Sequence, residues 1–489
     1  MFRAALISLF TTSTALATTW IVDDDGKADF DNIYLAVSAA SDGDVILVME
    51  GTYYSSYINP HGKAILVEGE TNSKGELLVT VDGMQSGAIL ECYSGEGEDT
   101  VFRNLILTNG SSYYGGGMTL FNGSSPTVEN CIFRNNTGTI EGGAIYLREN
   151  CNPIIHNCTF EDNIANGPGG GMFCMENSNP TIENCTFMNN TAHEGGGIYN
   201  YYSSPTLTNC IFENNTANGN GGGMYNYYNN PTLTNCTFTN NTTDGKGGGM
   251  FNYLFSSPTL TNCTFTDNTA NYGGGMFNDD SSPTLTDCTF ENNTANDGGG
   301  MRNVDNAGLG GGMHNYNSSP TLTDCTFTNN TTDGKGGGMY NHLFSSPTLT
   351  NCTFTYNTVV DDGGGMYNYV DSSPHLIDCI FENNIANGNG GGMLNIINSN
   401  PTLTDTTVCG NTPDQIIGDW TDNGGNTIAD VCPWDCPADV NQDGVVDVTD
   451  VLALIGAWGS SDPLTDINAD GTVDVSDLLI VIGNWGPCE

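Results

Sequence analysis

Between about residue 120 and residue 410 the apolar and polar positions recur in one register, and each recurrence ends on Gly-Gly-Gly-Met-aromatic-Asn or a close variant. A unit begins with Ser-Ser-Pro-Thr-Leu-Thr-Asn-Cys-Thr-Phe, has an Asn three positions after the Phe, and passes through a polar stretch to the glycines. Cys and Phe stand two apart, as in Cys236 and Phe238 or Cys263 and Phe265, so both face one side of a strand. Leu233 and Leu260 stand three before their Cys, which breaks the period of two and predicts a bend between two short strands. The residue before the Cys is always Asn or Asp, from Asn130 through Asp287 to Asp405. These are the non-glycine residues that best tolerate a left-handed corner. Asn136, Asn163, Asn190, Asn241 and Asn293 form a further column, whose side-chain amides can hydrogen-bond from one coil to the next.

Pro, Gly triplets and β-branched residues in every unit exclude a helical solenoid. The pattern predicts an all-β solenoid in which each unit is one coil and burial comes from stacking on neighbours. About 14 coils at ~4.8 Å each make a rod of about 65–70 Å. The alternation Met-Tyr-Asn-Tyr leaves two phases open. Either Met and Asn or the aromatic column Phe173, Tyr199, Tyr225, Phe251, Phe277, Tyr340 and Tyr367 faces outward. Outward rings would suit stacking on sugars or meeting a partner, and inward rings would fill or brace the sheet.

Ten cysteines share the register, from Cys131 to Cys379, with steps of 27, 27, 25, 26, 27, 25, 37, 27 and 27 residues, and Thr406 holds the next place. They form either a buried ladder of free thiols, since Cys packs as a small hydrophobe, or disulfides between neighbouring coils, for which in-register parallel side chains offer poor geometry. The Asn-x-Thr triplets, such as Asn157-Cys158-Thr159, fit the repeat itself as well as they fit glycosylation acceptors.

The two ends differ from the repeat. Residues 1–17 have Arg3, a short apolar run and Ala15-Leu16-Ala17, the form of a secretory signal peptide. Phe30, Ile33, Ala36, Val37 and Ala40 are spaced for one helix face, followed by a strand at 45–48 and a turn at 51–53; such a helix would cover the open edge of the first coil. The predicted organisation is a signal peptide at 1–17, an N-terminal cap at 18–60, parallel β-helix repeats at 61–431 and a small α-helical module at 432–489. No apolar run reaches the ~18 residues of a membrane span.

That last module holds eleven acids and no Lys or Arg. Two segments in it align, Asp439 to Asp450 and Asp466 to Asp477, and both match a calcium loop with oxygen side chains at loop positions 1, 3, 5, 9 and 12 and Gly at 6. The expected ligands are Asp439, Asn441, Asp443, Val445 (through its carbonyl), Asp447 and Asp450 in the first loop. In the second they are Asp466, Asn468, Asp470, Thr472 (through its carbonyl), Asp474 and Asp477. About two Ca²⁺ ions are expected, because so many close carboxylates repel one another without a cation. Each loop runs into an apolar helix, 451–458 and 478–485.

Composition narrows the partners. The 489 residues carry 56 acids against 10 bases, a formal net charge of −46. Phosphate neutralisation needs a basic face, so nucleic acid is excluded, and an anionic membrane surface is disfavoured.

The Asp-Gly…Phe-x-x-Ile…Gly-Asp-x-Ile-x-Val…Gly-Thr-Tyr pattern of residues 20–53 resembles the N-terminal cap of right-handed parallel β-helix proteins of the pectin-lyase-like superfamily. The Phe-x-x-Asn and Gly-Gly-x-Met motifs resemble polymorphic outer-membrane and adhesin-type β-helices. The duplicated loops, with Gly-x-Trp-Gly at the end, resemble a type I dockerin, which implies a cohesin-like extracellular protein partner. The cohesin-contacting Ser-Thr pair is replaced by Val448-Thr449 and Val475-Ser476. Cys432 or Cys436 paired with Cys488 would clamp the module's ends.

Two functions follow. One is a secreted rod that binds carbohydrate or a surface and docks through the calcium module. The other is a polysaccharide lyase or glycoside hydrolase, for which Arg302 and Asp305, beside the 37-residue step, are the catalytic candidates. Asp279-Asp280 and Asp361-Asp362 are further departures from the repeat, Lys246 and Lys335 share one repeated context, and the six His lack metal-ligand spacing and are expected at the surface. A catalytic constellation normally breaks repeat symmetry.

Overall fold

The computed structural model describes residues 17–296, 309–432, 438–441, 445–462, 465–468 and 470–487; the expected signal peptide, its last residue apart, lies outside them. The fold is a parallel β-solenoid. A typical coil contributes four short strands, for example Thr232–Thr234, Thr237–Thr239, Thr242–Thr243 and Met250–Tyr253. Stacked coil on coil, they build four parallel sheets of 16, 15, 11 and 13 strands. Register is conserved from coil to coil, with Leu233 beside Leu260, Phe238 beside Phe265 and Met250 beside Met276.

The predicted corner is left-handed, with φ 54° at Asn235, 53° at Asp287 and 48° at Asp405. A second left-handed corner follows the Phe strand, at Asn240 (φ 55°) and Asp267 (φ 56°); the sequence reading did not single it out. The predicted amide column forms inside the rod. Asn241 Nδ2 donates to Asn268 Oδ1 at 3.0 Å and to the Phe212 carbonyl at 2.9 Å, and Asn268 repeats this toward Asn293 at 3.0 Å. With Leu, Cys, Phe and Met, these Asn fill the interior and are fully buried. The phenylalanine rings stack almost in parallel, Phe265 on Phe290 at 4.8 Å and 2° and Phe327 on Phe354 at 4.6 Å and 1°. Successive coils are therefore hardly rotated, the flat-sheet case that side-chain ladders stabilise.

The ladder thiols are free and buried, so the bridged reading of that column falls. Hydrogen bonding from the preceding ladder thiol and burial push Cys263 up to about 12. The disulfide among the described residues is Cys409–Cys432, which corrects the expected pairing of Cys432 with Cys488; the alternative, Cys436 with Cys488, lies outside the described residues. The strand Thr407–Cys409 pairs in register with Thr427–Ala429, and this carries Cys432 back against the last full coil.

At the other end, helix α1 spans Ile33–Ala39, capped by Asn32, whose Oδ1 accepts from the Tyr34 amide at 2.8 Å. Ile33, Ala36 and Val37 join the main core. The helix is shorter than the apolar spacing suggests, because Phe30 bridges Val22 instead. Gly51–Tyr54 forms a strand rather than a turn. In the C-terminal module α2 spans Val448–Gly456 and α3 spans Val475–Gly483. Both start three residues earlier than expected, because Asp447 and Asp474 cap them from within the loops. No helix among the described residues is long and apolar enough to cross a membrane.

Candidate functional site

The strand Met250–Tyr253 settles the open phase. Met250 and Asn252 point into the core, and the Asn column is laddered, with Asn252 Nδ2 donating to Asn278 Oδ1 at 2.8 Å. The aromatics point out, yet they are not bare. Tyr146, Phe173, Tyr199, Tyr225, Phe251 and Phe277 form a second buried cluster, separate from the core. The first glycine of each triplet makes this possible. At Gly221 (φ 67°) a Cβ would lie 2.8 Å from the Cβ of Tyr225, so the chain crosses over the ring only where no side chain intervenes.

The result is a long groove-like strip on the outer face of the 13-stranded sheet, whose floor rings, from Tyr146 at 1% to Tyr199 at 7% exposure, lie buried beneath the flanking columns. Its floor is the aromatic column. One wall comes from the residues just before the glycines, where Lys246, Tyr272, Leu309 and Lys335 bridge one another in turn. The other wall is the next outward column, the half-buried Tyr201, Tyr227, Tyr253, Tyr316 and Tyr369. Beyond it the turn carries further rings, with the exposed Tyr202 stacked on the half-buried Tyr228 at 5.0 Å and 2°, and the exposed Phe255 6.0 Å further along. Tyr202, Tyr228, Phe255 and Phe344 have φ of 49°, 52°, 58° and 58°. Bulky residues there are backbone outliers, the kind of strain that collects at functional surfaces.

Electrostatics in the groove are set by burial. The Tyr199 and Tyr340 hydroxyls are pushed far up by desolvation, and desolvation also raises the Glu141 and Glu194 carboxyls. Lys246 Nζ lies 2.9 Å from Asp279 Oδ2 and 4.6 Å from the centre of the Phe277 ring. Lys335 Nζ lies 5.3 Å from the centre of Tyr367.

One expectation fails here. His314 is not a surface residue; it occupies the aromatic floor at 3% exposure, 4.3 Å from the Phe277 ring and 4.7 Å from Tyr340. It follows Met313 in the column, so the register that buries every other ring there buries the imidazole too. His342 is half-buried in the wall. The sequence carries the clue in the column itself, where His314 follows Met313 in the place that Phe277 and Tyr340 take after Met276 and Met339.

The catalytic candidates Arg302 and Asp305 lie outside the described residues. The other arginines beyond the N-terminus are paired between coils, Arg103 with Glu68 at 2.9 Å, Arg134 with Glu161 at 3.6 Å and Arg148 with Glu176 at 3.0 Å. Asp362 Oδ1 accepts the Asn389 amide at 2.8 Å, a turn contact.

In the C-terminal module the two loops superpose in their bonding. Asp450 accepts the amides of Asn441 at 3.0 Å and Asp447 at 2.8 Å, and Asp477 accepts those of Asn468 at 3.1 Å and Asp474 at 2.8 Å. Both carboxylates are fully buried, and Asp439 is 4% exposed. Asp466 accepts the Gly471 amide at 2.8 Å. Asp443 lies outside the described residues. Among the described residues no three His, Cys, Asp or Glu side chains converge as a metal cluster. The donor set nonetheless suits a hard cation, being all oxygen, with buried carboxylates and no basic side chain anywhere in residues 432–489 to balance them.

The family description "Right handed beta helix region" matches residues 56–226 and 208–412, and "Dockerin type I domain" matches 437–486. No curated protein matches the chain in sequence. Among solved structures, a mannuronic acid specific polysaccharide family 6 lyase from human gut microbiota superposes with TM-score 0.41 and 12% identity, over 79% of this chain and 86% of that one. The PL6 family polysaccharide lyase Pedsa3628 from Pseudopedobacter saltans gives 0.35 and 13%, over 83% and 93%. These are likenesses of fold.

Proposed function

The chain belongs to the right-handed beta helix family, and we propose that it is a secreted carbohydrate-binding rod held to an extracellular protein partner by a calcium-dependent dockerin module. The observation that carries this reading is the outward aromatic groove with its strained, exposed outer rings. Aromatic faces accept the C–H faces of sugar rings, and a row of them one coil apart suits an extended chain better than a compact ligand. Residues 1–17 act as the export signal, 18–60 cap the rod, 61–431 form it, and 432–489 dock. The module's partner is a cohesin-like protein, met through the exposed apolar side chains Val448, Leu452, Val475 and Leu479. About two Ca²⁺ ions sit in its loops. Asp439, Asn441, Asp443, Asp447 and Asp450 hold one with the Val445 carbonyl, and Asp466, Asn468, Asp470, Asp474 and Asp477 hold the other with the Thr472 carbonyl.

Affinity electrophoresis and calorimetry of the whole chain against neutral and uronate polysaccharides test the reading. Binding by the native chain, weakened at least ~10-fold in a Tyr227→Ala/Tyr253→Ala variant, supports it. Turnover of a polysaccharide that Arg302→Ala abolishes would replace it with the lyase or hydrolase reading.

A further inference from the structure

The groove's aromatic columns are broken around Phe277, and His342 takes a further wall position in the coil after His314. In two adjacent coils an aromatic position is given to a polar side chain. His314 stands in the floor column, in register between Phe277 and Tyr340. Asp279 stands in the wall column, in register between Tyr253 and Tyr316. Lys246, from the opposite wall, reaches Asp279 at 2.9 Å. The three groups meet across Phe277, which lies 4.6 Å from Lys246 Nζ and 4.3 Å from the imidazole. We propose that this break is the polar subsite that fixes a neutral polysaccharide chain in the groove, an inference that rests on the carbohydrate-binding reading above.

His314 is the decisive observation. Among the described residues neither ring nitrogen has a hydrogen-bond partner, although the residue is 3% exposed. Buried polar atoms are almost always satisfied, and each exception needs a reason. Repeat drift does not supply one, because an aromatic residue at this position would complete the stack at no such cost. Burial, with the nearby His342 and Lys246 charges, holds the ring neutral, so it offers one donor and one acceptor. A sugar hydroxyl satisfies either.

The ligand class follows from the same groups. Binding sites that are mostly apolar use a few polar groups to fix orientation. Here the half-buried wall rings Tyr253 and Tyr316 offer the pyranose face a surface, Lys246 donates, Asp279 accepts, and His314 does one or the other. An acidic chain fits poorly. The Lys246 charge is already met by Asp279, Glu141 and Glu194 lie against the floor tyrosines, and the whole chain carries −46. Like charges across an interface oppose association. Entry to His314 requires the half-buried rings of Tyr272 and Tyr316 beside it to turn aside.

The test uses the full chain, a soluble neutral glucan, a soluble neutral glucomannan and polygalacturonate. His314→Phe and Asp279→Tyr each restore the column's aromatic residue. Each is expected to fold, His314→Phe with a thermal midpoint no lower than the native chain's, and to lower neutral-glycan affinity about tenfold, while polygalacturonate binds weakly to all. The ¹⁵N imidazole signal assigned to His314, missing in His314→Phe, is expected to shift at saturation with glycan. Equal affinity of both variants and the native chain, or an unmoved imidazole signal, overturns the subsite and leaves the groove reading standing. Preferred binding of polygalacturonate also overturns it. No binding of any glycan by the native chain removes the groove reading and the subsite together. If His314→Phe fails to fold, the imidazole signal in the native chain decides.

Discussion

Met250 and Asn252 point inward from the same strand that turns Phe251 and Tyr253 outward, and the two faces of this sheet have different histories written in them. The inner Asn column is the same residue in eight consecutive coils from Asn200 to Asn395, and every step from Asn200 to Asn368 is joined to the next by a side-chain amide bond of 2.8–2.9 Å. The outer floor in the same coils varies among Tyr, Phe, His and Leu. Inside, each side chain must match the coil above and the coil below, so a change breaks two interfaces at once. Outside, one partner is often solvent. A departure from the repeat on the outer face is therefore cheap to make, and one that leaves a buried polar group unpaired, as His314 does, calls for a reason beyond packing.

Truncating a ring on each face tests that contrast with the largest expected effect. Phe265 is fully buried and stacked between Phe238 at 4.7 Å and Phe290 at 4.8 Å. Phe265→Ala is expected to cost about 3–5 kcal/mol. Tyr227→Ala, on the half-buried outer wall, is expected to cost about 1 kcal/mol or less. Denaturant midpoints give both. Equal losses would mean that the outer cluster is a second structural core and not a binding face.

A second contrast separates the rod from the C-terminal module. The rod buries apolar columns and neutral amides, whereas the module buries Asp450 and Asp477 in a segment without a single Lys or Arg. Chelating calcium is expected to melt the helices Val448–Gly456 and Val475–Gly483 while the β signal of the rod in circular dichroism is kept. Free Ca²⁺ a hundredfold above its Kd should restore about 2.7 kcal/mol per occupied loop to the module. Helices that persist unchanged in chelator would show that the backbone bonds to Asp450 and Asp477 suffice alone.

Most of the rod was legible in the sequence because stacking makes every coil repeat the same argument. The left-handed corners at Asn130 to Asp405, the Asn241 amide ladder and the free thiol column all follow from residue type and spacing. Three features did not. The phase of Met-Tyr-Asn-Tyr was open, since a strand with large residues on both faces carries no apolar–polar contrast. The glycine that lets the chain close over Tyr225 acts through an approach only three-dimensional geometry displays. The pairing of Cys409 with Cys432 depends on the last coil returning to register after the repeat has ended. The groove's polar break, by contrast, lay in plain sight at Asp279 and His314, but a change in one column means little until the columns are known to share a groove.

The smallest expected effect is also the most specific to the outer face. Burial places the His314 pKa well below its ordinary value, so the folded chain resists a proton that the unfolded chain accepts below pH ~6.5. Above that pH both forms are neutral and the residue contributes no pH dependence. As pH falls below it, stability drops by up to about 1.4 kcal/mol per unit until the folded-state pKa is reached. His342, lowered by burial, acts in the same direction. Glu141 and Glu194, raised by burial, act in the opposite one, losing stability as pH rises through the carboxyl range. The thermal midpoint between pH 7 and pH 5.5 is therefore expected to fall more in the native chain than in His314→Phe. Parallel curves for the two would place the imidazole in contact with water and remove the cost that sets this position apart from every other ring in the floor.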